Sequence, residues 1–321
     1  MNKNKQRFNN YSREYKDAKE YQVNAQEELI SFLLANVNQS RNAIKGMLTH
    51  HYVSVNGAPI SQYNFMLEKG DVVLISKKPI YKKGVTNKTL DIIYEDDDII
   101  VINKPSGLLT IASDKEKGRT AYRLITEYVQ TFNKHNRVYV VHRIDEDTSG
   151  VLMFCKNQDI RDAWQDKWND LVLDRGYYAI VEGQLDKKKG LVKSYLKQNK
   201  LNLMYSSDDK VHGKLAITNY EVIKENDKYS LLDIHIDSGR KNQIRVHMGD
   251  LHHNIIGDDK YGNPSNPIDR LGLHAYCLKI KHPISGKTYT FKAKMPKVFD
   301  DLMNGNIKEK VKKPIKKKNK K

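Results

Sequence analysis

Apolar positions along the chain change their period several times, and each change predicts an element. Up to about Gln26 no period holds, which predicts a mobile basic arm over 1–26. From Glu27 on, Leu29, Ile30, Phe32, Leu33, Leu34 and Val37 recur at helical spacing. Ser40 suits the N-cap of a second short helix that carries Arg41, Ile44, Lys45, Met47 and Leu48. Tyr52–Val55 then alternates as a strand and Asn56-Gly57 signals a turn. Lys69-Gly70-Asp71 turns into another strand, Val72–Ile75. Two helices and a few short strands predict a small module over 27–76, and the polar stretch that follows reads as a linker over 77–88.

A second domain, 89–304, opens with the strands Ile92–Tyr94 and Ile99–Ile102 on either side of an acidic turn. Arg119–Phe132 reads as a helix. Gln158–Leu171 reads as another, with Ile160, Trp164, Trp168 and Leu171 on one face. Strands are expected over Tyr177–Val181, Leu191–Leu196, Leu215–Ile223, Leu231–Ile236, Leu273–Ile280 and Tyr289–Ala293. A short helix is expected over Gly239–Leu251, with Ile244, Met248 and Leu251 on one side. The later strands follow too closely for helical crossovers, so the pairing should be mainly antiparallel and the domain α+β. Lysines crowd the last stretch, 305–321, which lacks core-forming residues and is expected to be disordered.

Composition changes this picture in one direction. The net charge is +17 over 321 residues, which calls for a polyanionic partner, nucleic acid or an acidic membrane surface. No apolar run approaches the roughly 20 residues of a membrane span, and the polar, basic start does not resemble a secretory signal. The mean hydropathy of −0.71 is that of a soluble globular chain. Cys155 and Cys277 each sit inside an apolar run, as buried thiols in a reducing cytoplasm would. A cytoplasmic monomer with a polyanionic partner is the expectation.

The densest polar connection in the chain joins Val138–Val141 to Val151–Cys155. It holds His142, Arg143, Asp145, Glu146, Asp147, Thr148, Ser149 and Gly150. Its acids begin like a calcium-binding loop, but Lys156 stands at the twelfth position where a Glu is needed. Gly286-Lys287-Thr288 lacks the Gly of a phosphate-binding loop, since Lys281 takes that place. The histidine pairs have no metal-ligand spacing and no dinucleotide fingerprint occurs, so neither metal nor cofactor is expected. What remains is a carboxylate among cations, which stays ionised and can attack or stabilise an electron-poor carbon such as the anomeric carbon of a nucleoside. Reaching that carbon in folded RNA requires flipping the nucleotide and stacking its base. Tyr177 and Tyr178 point to opposite faces of their strand, one for the core and one for the surface. Arg41 with Lys45, and Arg240 with Arg245, offer cations for phosphate or carboxylate, though each pair equally suits a solvated helix face.

Together these stretches resemble the pseudouridine synthases of the RluA type, from about Glu28 to Pro296. The match lies in His142-Arg143-Ile144-Asp145 with Thr148-Ser149-Gly150, in Arg175-x-Tyr177-x-Ala179-x-Val181-x-Gly183, and in Gly239-Arg240-x-x-Gln243-Ile244-Arg245-x-His247. Arg175 stands where Lys is more usual, and Asn242 where many members have His. Residues 28–75 are similar to the small RNA-binding module named after ribosomal protein S-four. The resemblance implies a mixed, mainly antiparallel sheet fold and an RNA uridine isomerase acting on structured RNA, ribosomal or transfer. It implies Asp145 as the catalytic carboxylate, Tyr177 stacking on the flipped base, and Arg245 paired with Asp145. It implies RNA contacts at Arg143, His142, Arg41, Lys45, Arg240 and Gln243. Competing classes are an assembly factor that has lost activity and a glycosidase or nuclease. The presence of Asp145, Tyr177 and Arg245 argues against the first, and the lack of a metal-carboxylate spacing against a nuclease.

Overall fold

The computed structural model describes residues 18–49, 52–60, 62–77, 80, 90–112, 120–262 and 266–307. Most of the expected linker and tail, and the arm up to residue 17, lie outside these. Contacts divide the chain into two compact units. One takes Met1–Asn103, Ile111–His142 and Leu152–Gln165, and the other Lys104–Thr110, Arg143–Val151 and Asp166–Lys321.

In the first unit, β1 (Lys19–Gln22) lies antiparallel to β6 (Val72–Ile75), so part of the expected arm is a strand. Tyr21 packs edge-on against Phe32, which supplies the apolar contact that the sequence period did not signal. The short strands β2 (Glu27–Glu28) and β5 (Met66–Leu67) pair with each other. The two expected helices are α1 (Leu29–Asn36) and α2 (Arg41–Thr49), and Ser40 Oγ accepts the Ala43 N–H at 3.2 Å at the start of α2. β3 (Val53–Val55) and β4 (Ala58–Pro59) form a hairpin through Asn56 and Gly57, both at positive φ (51° and 76°), as a tight primed turn requires. Leu29, Leu33, Ile44, Val53, Leu67 and Val73 bury the core of this module. Later in the unit come β7 (Ile92–Glu95), β8 (Ile99–Lys104), α3 (Ala121–Gln130) and β9 (Tyr139–Val140). The helix expected over Gln158–Leu171 breaks at Lys167 into α4 (Gln158–Asp166) and α5 (Trp168–Leu171). Trp164 is buried while Trp168 is only partly covered.

The strand β10 (Ser149–Cys155) has residues in both units. The second unit is built on a sheet ordered β13-β12-β14-β15-β11-β16. These strands are β11 (Val172–Glu182), β12 (Lys189–Gln198), β13 (Met204–Ser207), β14 (Lys214–Glu225), β15 (Tyr229–Ile236) and β16 (Leu273–Lys281), and β17 (Thr288–Lys292) also pairs with β16. All these pairings are antiparallel; the start of β10 alone runs parallel to β16 in this unit, with Ser149 opposite His274 and Gly150 opposite Ala275. Gly150 has φ +114°, and a Cβ there would stand 2.0 Å from the Ala275 carbonyl oxygen, so no other residue lets the loop enter this strand. This is the expected α+β, mainly antiparallel fold.

Two elements of the second unit had not been expected. β13 is a short edge strand of polar character, and α7 (Lys297–Met303) buries Phe299, Leu302 and Met303 against Ile180, Tyr229 and Leu231. The predicted helix over Gly239–Leu251 starts later, as α6 (Gln243–Asp250). Gln243 to Met248 are all buried, so this is an interior helix and its basic residues Arg240 and Lys241 lie in the turn before it. Among the described residues no helix is long and apolar enough to cross a membrane.

Candidate active site

The site is assembled within the second unit from the 143–151 loop, β11, the start of α6 and the turn after it. The loop is pinned from below by Lys104. Its side chain is buried, and Nζ donates to the carbonyls of Pro105, Leu108 and Glu146 at 2.9, 2.6 and 2.7 Å. Three acceptors match the three hydrogens of an ammonium. Burial pulls its pKa down to about 7, with Arg270 adding to the shift and Asp147, Asp145 and Glu146 opposing it. Ser106 Oγ and Thr110 Oγ1 donate to the carbonyls of Asp147 and Ile144. At the far end Arg270 Nη2 donates to Ser149 Oγ at 2.7 Å. The Ser149 hydroxyl also shares a hydrogen bond of 2.7 Å with His274 Nδ1. The loop backbone is thus held on both sides of Asp145.

Asp145 itself stays partly open, its side chain 31% exposed. Asn242 Nδ2 donates to its Oδ2 at 2.7 Å. Arg245 Nη1 is 3.9 Å from the same oxygen, an ion pair without a hydrogen bond. The closer partner of Arg245 is Asp258. Nε donates to Oδ2 at 2.7 Å and Nη2 to Oδ1 at 2.6 Å, a bidentate pair with both side chains buried. Asp258 Oδ1 also accepts the N–H groups of Lys260 and Tyr261. Its carboxyl is held below its ordinary pKa, Arg245 and these N–H groups outweighing the burial that acts against them. The Arg245 guanidinium lies 5.3 Å from the centre of the Tyr261 ring, and the Tyr261 hydroxyl donates to Asn242 Oδ1 at 3.2 Å.

Tyr177 lies on β11 where the pairing with β16 shifts register, between Gly176 and Tyr177. Its ring packs on the cluster that includes Ile234, Ile244 and Met248. Burial pushes its phenol up to about 12, Asp145 acts in the same direction and Arg175 against it. The two groups are therefore within electrostatic reach. Tyr178 turns to the other face and stacks on Tyr276 at 4.1 Å.

The expected RNA contacts divide. Arg143, Arg41 and Lys45 are exposed, Lys45 resting 5.3 Å from the Tyr63 ring centre. Arg240 is exposed, its Nε donating to the Leu215 carbonyl. His142 is held in the first unit, where Nε2 accepts the Met153 N–H at 3.0 Å. Gln243 corrects the expectation made for it. It is 2% exposed and both ends of its amide are engaged: Oε1 accepts from Ser238 Oγ and the Arg240 N–H, and Nε2 donates to the Ile217 carbonyl and Thr218 Oγ1. It closes the turn before α6 and leaves no group for RNA. Arg245 does lie in ion-pair range of Asp145, and Asp258, which holds its Nε and Nη2, is a second partner that sequence did not suggest. Residues not singled out from sequence are Asn242 as a contact of Asp145, Asp258 as an acceptor, and the pair Lys104 and Arg270. Asn242 is held at φ 53°, a left-handed value that Asn tolerates and that turns its amide to the loop. Among the described residues no group of three or more His, Cys, Asp and Glu is placed to hold a metal ion.

The site thus brings together a carboxylate, a neutral phenol and a buried Arg–Asp pair. Residues 98–250 match the family model described as RNA pseudouridylate synthase. An uncharacterized RNA pseudouridine synthase of Bacillus subtilis is 30% identical over 85% of this chain and 91% of its own length. One of Mycoplasma pneumoniae is 31% identical over 90% and 96%. The ribosomal large subunit pseudouridine synthase D of Neisseria meningitidis serogroup B is 28% identical over 83% and 74%. The solved structure of human RNA pseudouridylate synthase domain containing 4 superposes with a TM-score of 0.55 at 20% identity, over 67% of this chain and 92% of that one, and shares the fold. This chain belongs to the RNA pseudouridine synthases of the RluA type, a family of isomerases.

Proposed function

We propose that this protein isomerises uridines of structured ribosomal RNA to pseudouridine and that Asp145 is its catalytic carboxylate. The observation that carries the assignment to Asp145 is its setting. Of the three loop acids it is the one that accepts a hydrogen bond from α6's cap and acts on Tyr177, and it stands 3.9 Å from Arg245. In the reaction the bond from uracil N1 to ribose C1′ breaks and a bond from C5 to C1′ forms. The C5 proton leaves and N1 regains one, so the product is an isomer and no group is transferred out. Asp145 stabilises or attacks C1′ while the bond is broken. Tyr177 stacks on the flipped base, and its phenol, neutral up to about pH 12, keeps a second anion away from Asp145. Ribosomal RNA is favoured over transfer RNA by the Neisseria relative, which is named for the large ribosomal subunit, and the charge of +17 suits a polyanionic substrate of either kind. Arg143, exposed two residues before Asp145, fills the space vacated by the flipped nucleotide. Arg41 and Lys45 add phosphate contacts from the small module. The test is to map pseudouridine in ribosomal and transfer RNA from cells with and without the gene. Loss of ribosomal sites supports the reading; loss confined to transfer RNA overturns the choice of RNA.

A further inference from the structure

Arg175 precedes Tyr177 by two residues on β11, so both side chains leave the same face of the strand, about 7 Å apart along it. Its Nε is buried and has no hydrogen-bond partner, and among the described residues its guanidinium makes no ion pair. Asp174 and Asp237 act on it only through space, and the Asp174 carboxylate is engaged by His235 at 2.7 Å. Burial lowers the pKa of Arg175, and the positive charge of Arg240 lowers it further. Arg175 is partly buried beside a second cation, and no carboxylate of the described residues neutralises it, an unfavourable arrangement that an incoming anion would relieve.

The loop before α6 makes room for this side chain. A Cβ on Gly239 would stand 2.5 Å from Arg175 Nη1. Gly239 is not among the glycines with positive φ, so its backbone does not itself demand glycine. The missing side chain serves the guanidinium. Arg240, the next residue, is exposed and brings a second guanidinium to the same edge.

We propose that Arg175, together with Arg240, receives a backbone phosphate of the RNA strand next to the base that stacks on Tyr177. A partly exposed guanidinium without an ion-pair partner suits phosphate binding, and a shared phosphate would relieve the repulsion between the two arginines. The span from Tyr177 to Arg175 is of the order of the reach from a base to its own backbone. The inference rests on the proposed stacking role of Tyr177 and deepens it by fixing the direction in which the strand leaves the site.

The test is equilibrium binding of the full chain to a transcript of large-subunit ribosomal RNA over a series of KCl concentrations. Arg175→Met is expected to weaken binding at least tenfold at low salt and to make the slope of log K against log salt shallower by about 0.7–0.9, the loss of one phosphate contact. Arg175→Lys should recover the slope but not all of the affinity, because an ammonium lacks the fork. Gly239→Ala keeps the charge and displaces the guanidinium, and should lower affinity by a smaller factor. These two variants keep the idea testable should Arg175→Met fold poorly. Wild-type affinity and slope in folded Arg175→Met overturn the proposal. So does an unchanged slope with a shifted pH profile of activity, which would make Arg175 a tuner of Tyr177. Failure of the wild-type protein to form pseudouridine in any RNA counts against the proposed function, and the slopes still judge Arg175 as a phosphate receptor.

Discussion

Replacing Asn242 with glycine isolates the hydrogen bond that most directly orients Asp145. The choice of glycine follows from the backbone. Asn242 sits at φ 53°, where alanine would add roughly 1–2 kcal/mol of strain, while glycine adopts this region freely. The substitution therefore removes the amide, with the longer bond its Oδ1 accepts from the Tyr261 hydroxyl, and adds no backbone strain. The bond it removes is short, 2.7 Å, and ends on a carboxylate. Hydrogen bonds to charged groups contribute about 1.5–3 kcal/mol. If that energy holds Asp145 in its reactive pose, at about 1.4 kcal/mol per decade the rate of the chemical step should fall about ten- to hundredfold. Arg245 is not placed to replace the amide, since its Nη1 is 3.9 Å from Asp145 while Asp258 holds its Nε and Nη2. The assay is single-turnover conversion at saturating RNA, with thermal melting as a control for folding. A second variant, Asn242→Asp, keeps the shape and places a carboxylate against a carboxylate. It should move the acid limb of the rate profile to higher pH, as one of two like charges resists ionisation. Conversion by Asn242→Gly within twofold of wild type, with an unchanged profile for Asn242→Asp, would refute the positioning role.

Two further outcomes follow from the buried polar groups. Asp258→Asn should destabilise the fold by about 3–5 kcal/mol, because it strands the buried Arg245 guanidinium; denaturant unfolding reads this directly, and a change below about 1 kcal/mol would contradict it. His274 is held neutral, its pKa lowered to about 4 by burial first and by Arg270 second. The folded pKa lies below the unfolded one, so this stability is complete above about pH 6.5 and lost as pH falls toward 4. The wild type should lose about 3 kcal/mol more over that window than His274→Gln; parallel stability curves for the two would show that His274 carries no such linkage.

Much of the fold was legible because its strands and helices have clear periods. β11, β12, β14, β15 and β16 all appear where alternation predicted them, with ends moved by a few residues. β13 was invisible because Met204–Ser207 has no apolar period; pairing with β12, and the Tyr261 hydroxyl on the Met204 N–H, hold it instead. α7 did carry a signal that went unread, Pro296 followed by Phe299, Leu302 and Met303 at helical spacing. The division of labour around Asp145 was less accessible. Arg245 and Asp258 are thirteen residues apart, across the end of α6 and a turn, and nothing local shows that they meet. Gln243 and Asn242 are adjacent polar residues, yet the left-handed conformation at Asn242 sends one amide to the loop and leaves the other buried under the turn. That conformation is a property of the folded backbone, set by the buried packing of α6.

The claim that Asp145 performs the chemistry is tested most directly by Asp145→Asn with RNA tritiated at uridine C5, since isomerisation must release that hydrogen. The side chain keeps its size, so the protein should fold and bind RNA with near wild-type affinity. The account predicts no release of tritium above background, with binding retained. Tritium release at a rate within about tenfold of wild type, a loss of no more than about 1.4 kcal/mol of transition-state stabilisation, would contradict it.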